Sequence, residues 1–246
     1  MKKHELYRIR YSWSILKYIP ILSSVLLLLC YMDIVSGEWS DSVAKANQAW
    51  REIGTGFIYI LLMITVVVAV YVGREFKNKT INHEIMRGMS SFEISITKML
   101  GCSVCIPALS GVCLLIYLLI FRAFRGPTDA IGLILITLGI SHIASTVLMW
   151  ILICKNAVVG SLIAFVKIAF AETFFVELLK NLLSQKIYQI MNKMCVLTQI
   201  INLTSDHSRI NLADAALFIC ISFILEFLVL QIIYYITSNY LFDPGV

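Results

Sequence analysis

Three residues invite a chemical explanation because of where they fall: His142, Lys167 and Glu226 each sit well inside an apolar run long enough to cross a bilayer. A charge at the bilayer centre costs ~2.5–3.5 kcal/mol on insertion scales, so each needs a partner or a purpose. Lys167 lies ten residues into its run, or ~15 Å deep at ~1.5 Å per residue. Glu226, counted back from the end of the next run, is ~16 Å deep. Consecutive runs are antiparallel, so the depths match. The sequence therefore predicts a Lys167–Glu226 pair near the midplane, with His142 near it. Thr137, Ser141 and Ser145 add an i, i+4, i+8 polar stripe on the His142 run. Such groups serve as interhelical glue or line a substrate path, and both readings stand.

Enzyme chemistry finds little to use. An intramembrane enzyme needs convergent groups on facing helices, and His142 is the one histidine inside an apolar run. Neither HExxH nor GxSxG occurs, and GxxxxGK[ST], which would cradle ATP phosphates, is absent. Cys102 and Cys105 form a CxxC in apolar surroundings with no second ligand pair, which reads as small buried hydrophobes. No catalytic residue, cofactor-binding residue or metal ligand is assigned.

The elements that position these residues are helices in lipid. Hydrophobic residues make up 59% of the 246 residues and charged ones 14%, against about 45–50% and about 25% in ordinary globular domains. The mean hydropathy is +0.86. The sequence predicts one all-α polytopic membrane domain over 1–246 with six transmembrane helices, near 19–35, 57–72, 99–121, 130–154, 157–179 and 217–237. Residues 1–17 have Leu6, Ile9, Trp13 and Leu16 on one side and five basic residues on the other, the pattern of an interfacial helix. Residues 36–53 and 122–129 read as outer loops. The outer loop 180–213 keeps a helical apolar period and is predicted to hold one or two short helices.

Charge sets orientation. The net charge is +5, but the basic residues gather at the ends of apolar runs, which excludes a nucleic-acid surface. With the N-terminus inside, eleven of the twenty lysines and arginines fall in inner segments and eight in outer ones. Both termini are therefore expected in the cytoplasm.

The longest inner segment, 73–98, reads GREFKNKTINHEIMRGMSSFEISITK. A short helix is expected over 75–87, presenting Phe76, Ile81 and Ile85. Gly88 is placed to end it in the left-handed conformation. Ser90 and Glu93 then have the spacing of a capping box that starts a helix leading into the third span.

Here Glu75-Phe76, Thr80-Ile81, Gly88-x-Ser90, Glu93-Ile94 and Lys98 resemble the signature that follows the second span of ABC-2 type permeases. The layout is also similar: a surface helix, six spans and an outer helical region between spans five and six. Chain length resembles that of permease subunits of bacterial bacitracin-resistance and lantibiotic self-immunity transporters. Ser91 stands where an Arg is common, and Asn82-His83 replaces a frequent Arg-Asn.

The resemblance implies an exporter subunit in a bacterial cell membrane, moving an amphiphilic cargo such as an antimicrobial peptide or drug. It implies that 73–98 is a coupling loop, with Glu75, Phe76, Thr80, Ile81, Ile85, Gly88, Ser90 and Glu93 engaging a separate ATPase subunit that binds the ATP. It further implies a second permease subunit, identical or related, and contact with membrane lipid. A non-transporting sensor or assembly subunit is the alternative of a different class. The topology has a direct test: a cysteine at position 79 is expected to label only from the inside, and one at position 45 only from the outside. The reverse pattern at either position overturns the arrangement.

Overall fold

In the computed structural model, residues 42–77, 86, 88, 90–171, 195–205 and 212–239 are described, with isolated positions 174, 177, 178, 180, 184, 185 and 188. The interfacial helix expected over 1–17 and the first span expected over 19–35 lie outside the described residues. Among the described residues the chain is helical, with no strand. The helices are α1 Ser42–Thr55, α2 Phe57–Lys77, α3 Ser91–Met99, α4 Ile106–Ile120, α5 Pro127–Cys154, α6 Ala157–Val166, α7 Val196–Ser205 and α8 Leu212–Asn239. Two π-helical segments interrupt them: π1, Leu100–Cys105, joins α3 to α4, and π2, Lys167–Ala171, extends α6.

Four of these stretches are long and apolar enough to cross a membrane: Phe57–Arg74, Phe92–Ile120, Pro127–Cys154 and Ile219–Ile236. They fall on the second, third, fourth and sixth runs read from the sequence, and are compatible with a membrane protein. The fifth run is described as the shorter apolar helix Ala157–Ala171.

α5 is the organising element. It packs against α2, α4, α6, α7, α8 and π1, and 72% of its most apolar 18-residue stretch is buried, against 18% for the Ile219–Ile236 stretch of α8. Its start is fixed locally. Pro127 sits in the first turn, where a missing N–H costs nothing, and the Asp129 carboxylate accepts from the backbone N–H groups of Gly126 at 2.8 Å and Arg125 at 2.6 Å. Its end is a two-residue reversal. Lys155 is left-handed at φ 50, and the Asn156 side chain accepts from Val158 N at 3.0 Å and Val159 N at 3.2 Å to begin α6. The two-residue turn at 155–156 thus falls in the gap between the fourth and fifth runs read from the sequence.

α1 revises the sequence reading, which took 36–53 as a loop. Ala49, Trp50 and Ile53 are fully buried on one side of this helix, which packs against α7. Gly54 lets the two approach, since a Cβ there would collide with the Thr204 hydroxyl. α7, for its part, supplies one of the short helices expected within 180–213.

The α5–α6 pair is closer still. A Cβ on Gly160 would run into the backbone of Ile151 and Trp150, the small-residue approach typical of helices in lipid. Gly111 on α4 is less constrained, because its added Cβ would meet the Thr137 hydroxyl at 2.8 Å, an atom that can rotate away. Alanine favours a helix over glycine by ~1 kcal/mol, yet displacing a backbone costs ~1–3 kcal/mol. Gly160→Ala is therefore expected to lower stability, and by more than Gly111→Ala, in detergent unfolding titrations. A Gly160→Ala protein as stable as the parent would mean that the two backbones are not in contact.

Candidate functional site

Two clusters hold the residues singled out from sequence: a turn leading into α3 and a polar node between α3–π1–α4, α5 and α8.

The turn is built as its residues require. Gly88 has φ +79, a conformation that side chains with a Cβ resist. Ser90 caps α3: its Oγ accepts from Glu93 N at 3.3 Å, while Glu93 Oε2 accepts from Ser90 N at 3.1 Å. Both arms of the capping box are present. Met86, Gly88, Ser90 and Phe92 are exposed, whereas Ile94, Ser95 and Lys98 on the next turns are buried. Phe92 meets the Tyr234 ring of α8 edge-on at 6.1 Å between centroids. One boundary differs from expectation. Glu75 and Phe76 do not begin a separate helix but continue α2, which runs unbroken to Lys77. Gly73 within it sits close to α6, where an added Cβ would lie 3.0 Å from Ala157 Cβ. Thr80, Ile81 and Ile85 lie outside the described residues.

The polar node gathers around Glu226, half-buried on α8. Ser145 Oγ donates to Glu226 Oε2 at 2.6 Å, and Ser141 Oγ lies 3.4 Å from Glu226 Oε1. Ser141 Oγ also reaches the backbone carbonyl of Ser103 at 2.6 Å, and Ser145 Oγ that of Ser141 at 2.9 Å. Ser103 Oγ and Ser145 Oγ share a short hydrogen bond. Ser103 belongs to π1, and π segments loosen the regular backbone ladder, often at functional positions. Thr137, the third member of the stripe, bonds its own helix at Leu133 O, 2.8 Å away, and faces Gly111 instead.

The expected Lys167–Glu226 pair is not what the carboxylate makes. Glu226 meets the serines of α5, while Lys167, at the start of π2, lies within electrostatic reach of His142. The reason is packing. α6 and α8 are each packed on α5 rather than on one another, so matching depth did not bring the two charges together. His142 is buried, and its Nδ1 has no hydrogen-bond partner among the described residues. Ser103 was missed from sequence. Its signal was a serine in an apolar run that also holds Ser110, masked by the nearby Cys102 and Cys105, which lie in and at the edge of the core. Near the predicted outer end of the fifth run, the exposed Glu177 pairs with Lys180 at 3.5 Å and accepts from the Tyr188 hydroxyl at 3.1 Å. An exposed pair of this kind contributes little to stability.

No protein-family model, curated protein or solved structure matches this chain.

Because Lys167 and Glu226 have different surroundings, the costs of Lys167→Met and Glu226→Met are expected to add. Their coupling in a double-mutant cycle of unfolding should lie within ~0.5 kcal/mol of zero. A coupling well above ~1 kcal/mol would reinstate the direct pair.

Proposed function

We propose that the chain is the membrane-spanning permease subunit of an ATP-driven exporter of the ABC-2 type, moving an amphiphilic cargo. ATP is hydrolysed by a separate subunit, and a second permease subunit completes the pathway. In this reading the chain has six spans with both termini in the cytoplasm of a bacterial cell. The observation that carries it is the turn before α3. A left-handed glycine at Gly88, followed by the reciprocal Ser90–Glu93 cap, feeds a helix that runs on into a candidate span.

Mechanically, such a turn suits force transfer. A capped helix resists fraying at its first turn. The capped turn is exposed while the helix behind it is buried, with Ile94 and Lys98 held between neighbours. A push on the exposed end is then delivered to π1, where Ser103 touches the serines that hold Glu226. Phe92 on Tyr234 links the same turn directly to α8. The segment 75–87 would supply the surface that seats on the ATPase, and Gly88 would set the angle at which it is presented. The polar node then lies on elements that the coupling turn moves.

Gly88→Val tests the reading. A β-branched residue at this φ costs ~1–2 kcal/mol, enough to change the population of the turn ~5–30-fold. The variant is expected to reach the membrane and keep its unfolding midpoint, but to lose transport by about that factor while the partner ATPase continues to hydrolyse ATP. Wild-type transport by Gly88→Val would remove the turn from the coupling path. Failure of the purified chain to bind any ATPase expressed with it from its own operon would remove the exporter reading altogether.

A further inference from the structure

The node around Glu226 has a property that neither glue nor a cargo contact requires: its hydrogens can be arranged in two complete ways. We propose that Glu226, Ser145, Ser141 and Ser103 form a proton-binding site within the bundle, at which Glu226 takes up and releases one proton while the Ser145 hydroxyl reorients.

Each serine has a single hydrogen to give, and a carboxylate has none. With Glu226 ionised, Ser145 donates to Oε2 over 2.6 Å and Ser141 donates to Ser103 O over 2.6 Å. Ser103 donates to Ser145 Oγ. With Glu226 protonated, the new Oε2–H donates back across the same gap to Ser145 Oγ. The Ser145 hydrogen then swings to Ser141 O, 2.9 Å away. Ser141 is unchanged, and Ser103 still donates to Ser145 Oγ, whose two lone pairs accept both bonds. The incoming proton comes from water, forms the O–H bond at Oε2 and returns to water on release. Every hydrogen has an acceptor in both states, and only one hydroxyl rotates.

A buried group that is satisfied in only one protonation state is locked there, because the other state leaves an unmade hydrogen bond. Ser145 removes that lock. It is fully buried and has two acceptors in reach, Glu226 Oε2 at 2.6 Å and Ser141 O at 2.9 Å. The same oxygens are bonded to one another through hydrogens: Ser145 to Glu226, Ser141 to Ser103 O, and Ser103 to Ser145. The neighbouring titratable groups on packed elements are few. α5 carries His142 beside Ser141. π1 carries Cys102 and Cys105 beside Ser103. α3 carries Lys98 and Glu93, five and ten residues before Ser103. Of the carboxylate oxygens, Oε2 is held by Ser145, and Oε1 lies 3.4 Å from Ser141 Oγ, whose hydrogen goes to Ser103 O.

The site can be tested without any transport assay, and so independently of the exporter reading. The full chain in lipid nanodiscs is followed by difference infrared spectroscopy between about pH 5 and about pH 9. A carboxylic-acid C=O stretch is expected to appear on the acid side and vanish on the alkaline side, to be absent in Glu226→Gln and to move in Glu226→Asp. Ser145→Ala is expected to shift the frequency of that band, because its bonding partner is gone, and Ser145→Thr to restore it. The wild-type titration needs no variant to fold. Three results would each overturn the proposal: no band that titrates with Glu226, a band unaffected by Ser145→Ala, or loss of the band at constant pH on adding sodium chloride in place of choline chloride. The last would assign the oxygens to a metal cation.

Discussion

A carboxylate among apolar helices has to be held by whatever polar groups its neighbours can offer, and the arrangement of this bundle follows from meeting that need with Ser141 and Ser145. Burying a polar group without a hydrogen bond costs several times what the bond returns when it is made. Glu226 therefore ties α8 to α5 at one depth and in one rotation. Ser103 extends the tie to π1. Three elements far apart in sequence are registered by four side chains, while the rest of their contact is apolar and less particular about register. The tie weighs most for α8, of which only 18% of the Ile219–Ile236 stretch is buried.

The central position of α5 explains why the tie is made there. It packs against α2, α4, α6, α7, α8 and π1, and its polar residues point in more than one direction. Ser141 and Ser145 face α8 and π1, while His142, one residue on, lies toward Lys167. One helix thus keeps two polar environments apart. The glycine at 160 draws α6 tightly against α5 on one flank. α1 and α7 pack on each other beyond them, with α7 also against α5.

Much of this was legible in sequence, because helices in an apolar solvent announce themselves by length and composition. The capping box at Ser90 and Glu93, the left-handed Gly88 and the two-residue reversal after Cys154 were legible too, since each depends on local chemistry within four residues. Partner choice was not. Lys167 and Glu226 match in depth, but depth is one coordinate of three, and rotation about the helix axis and the order of helices around α5 decide the rest. α1 was missed for a related reason. The buried positions among its described side chains are Ala49, Trp50 and Ile53, and they become a face only when α7 is present to cover them. Ser103 could not be ranked above other serines without knowing that the helix changes form around it.

That change of form has a geometric consequence. A π turn holds one more residue than an α turn, and each residue of an α-helix advances the azimuth by about 100°. π1 therefore acts as a fixed angular offset between Ser91–Met99 and Ile106–Ile120. If Leu100–Cys105 kept all its residues but relaxed to plain α-helix with α4 in its seat, the Ser90 cap, Phe92 and Gly88 would swing around the axis by roughly 100°, and deleting one residue would bring them back. The form of the helix at this point is in effect a compass setting: it fixes the direction in which the exposed turn points without altering a single side chain on it.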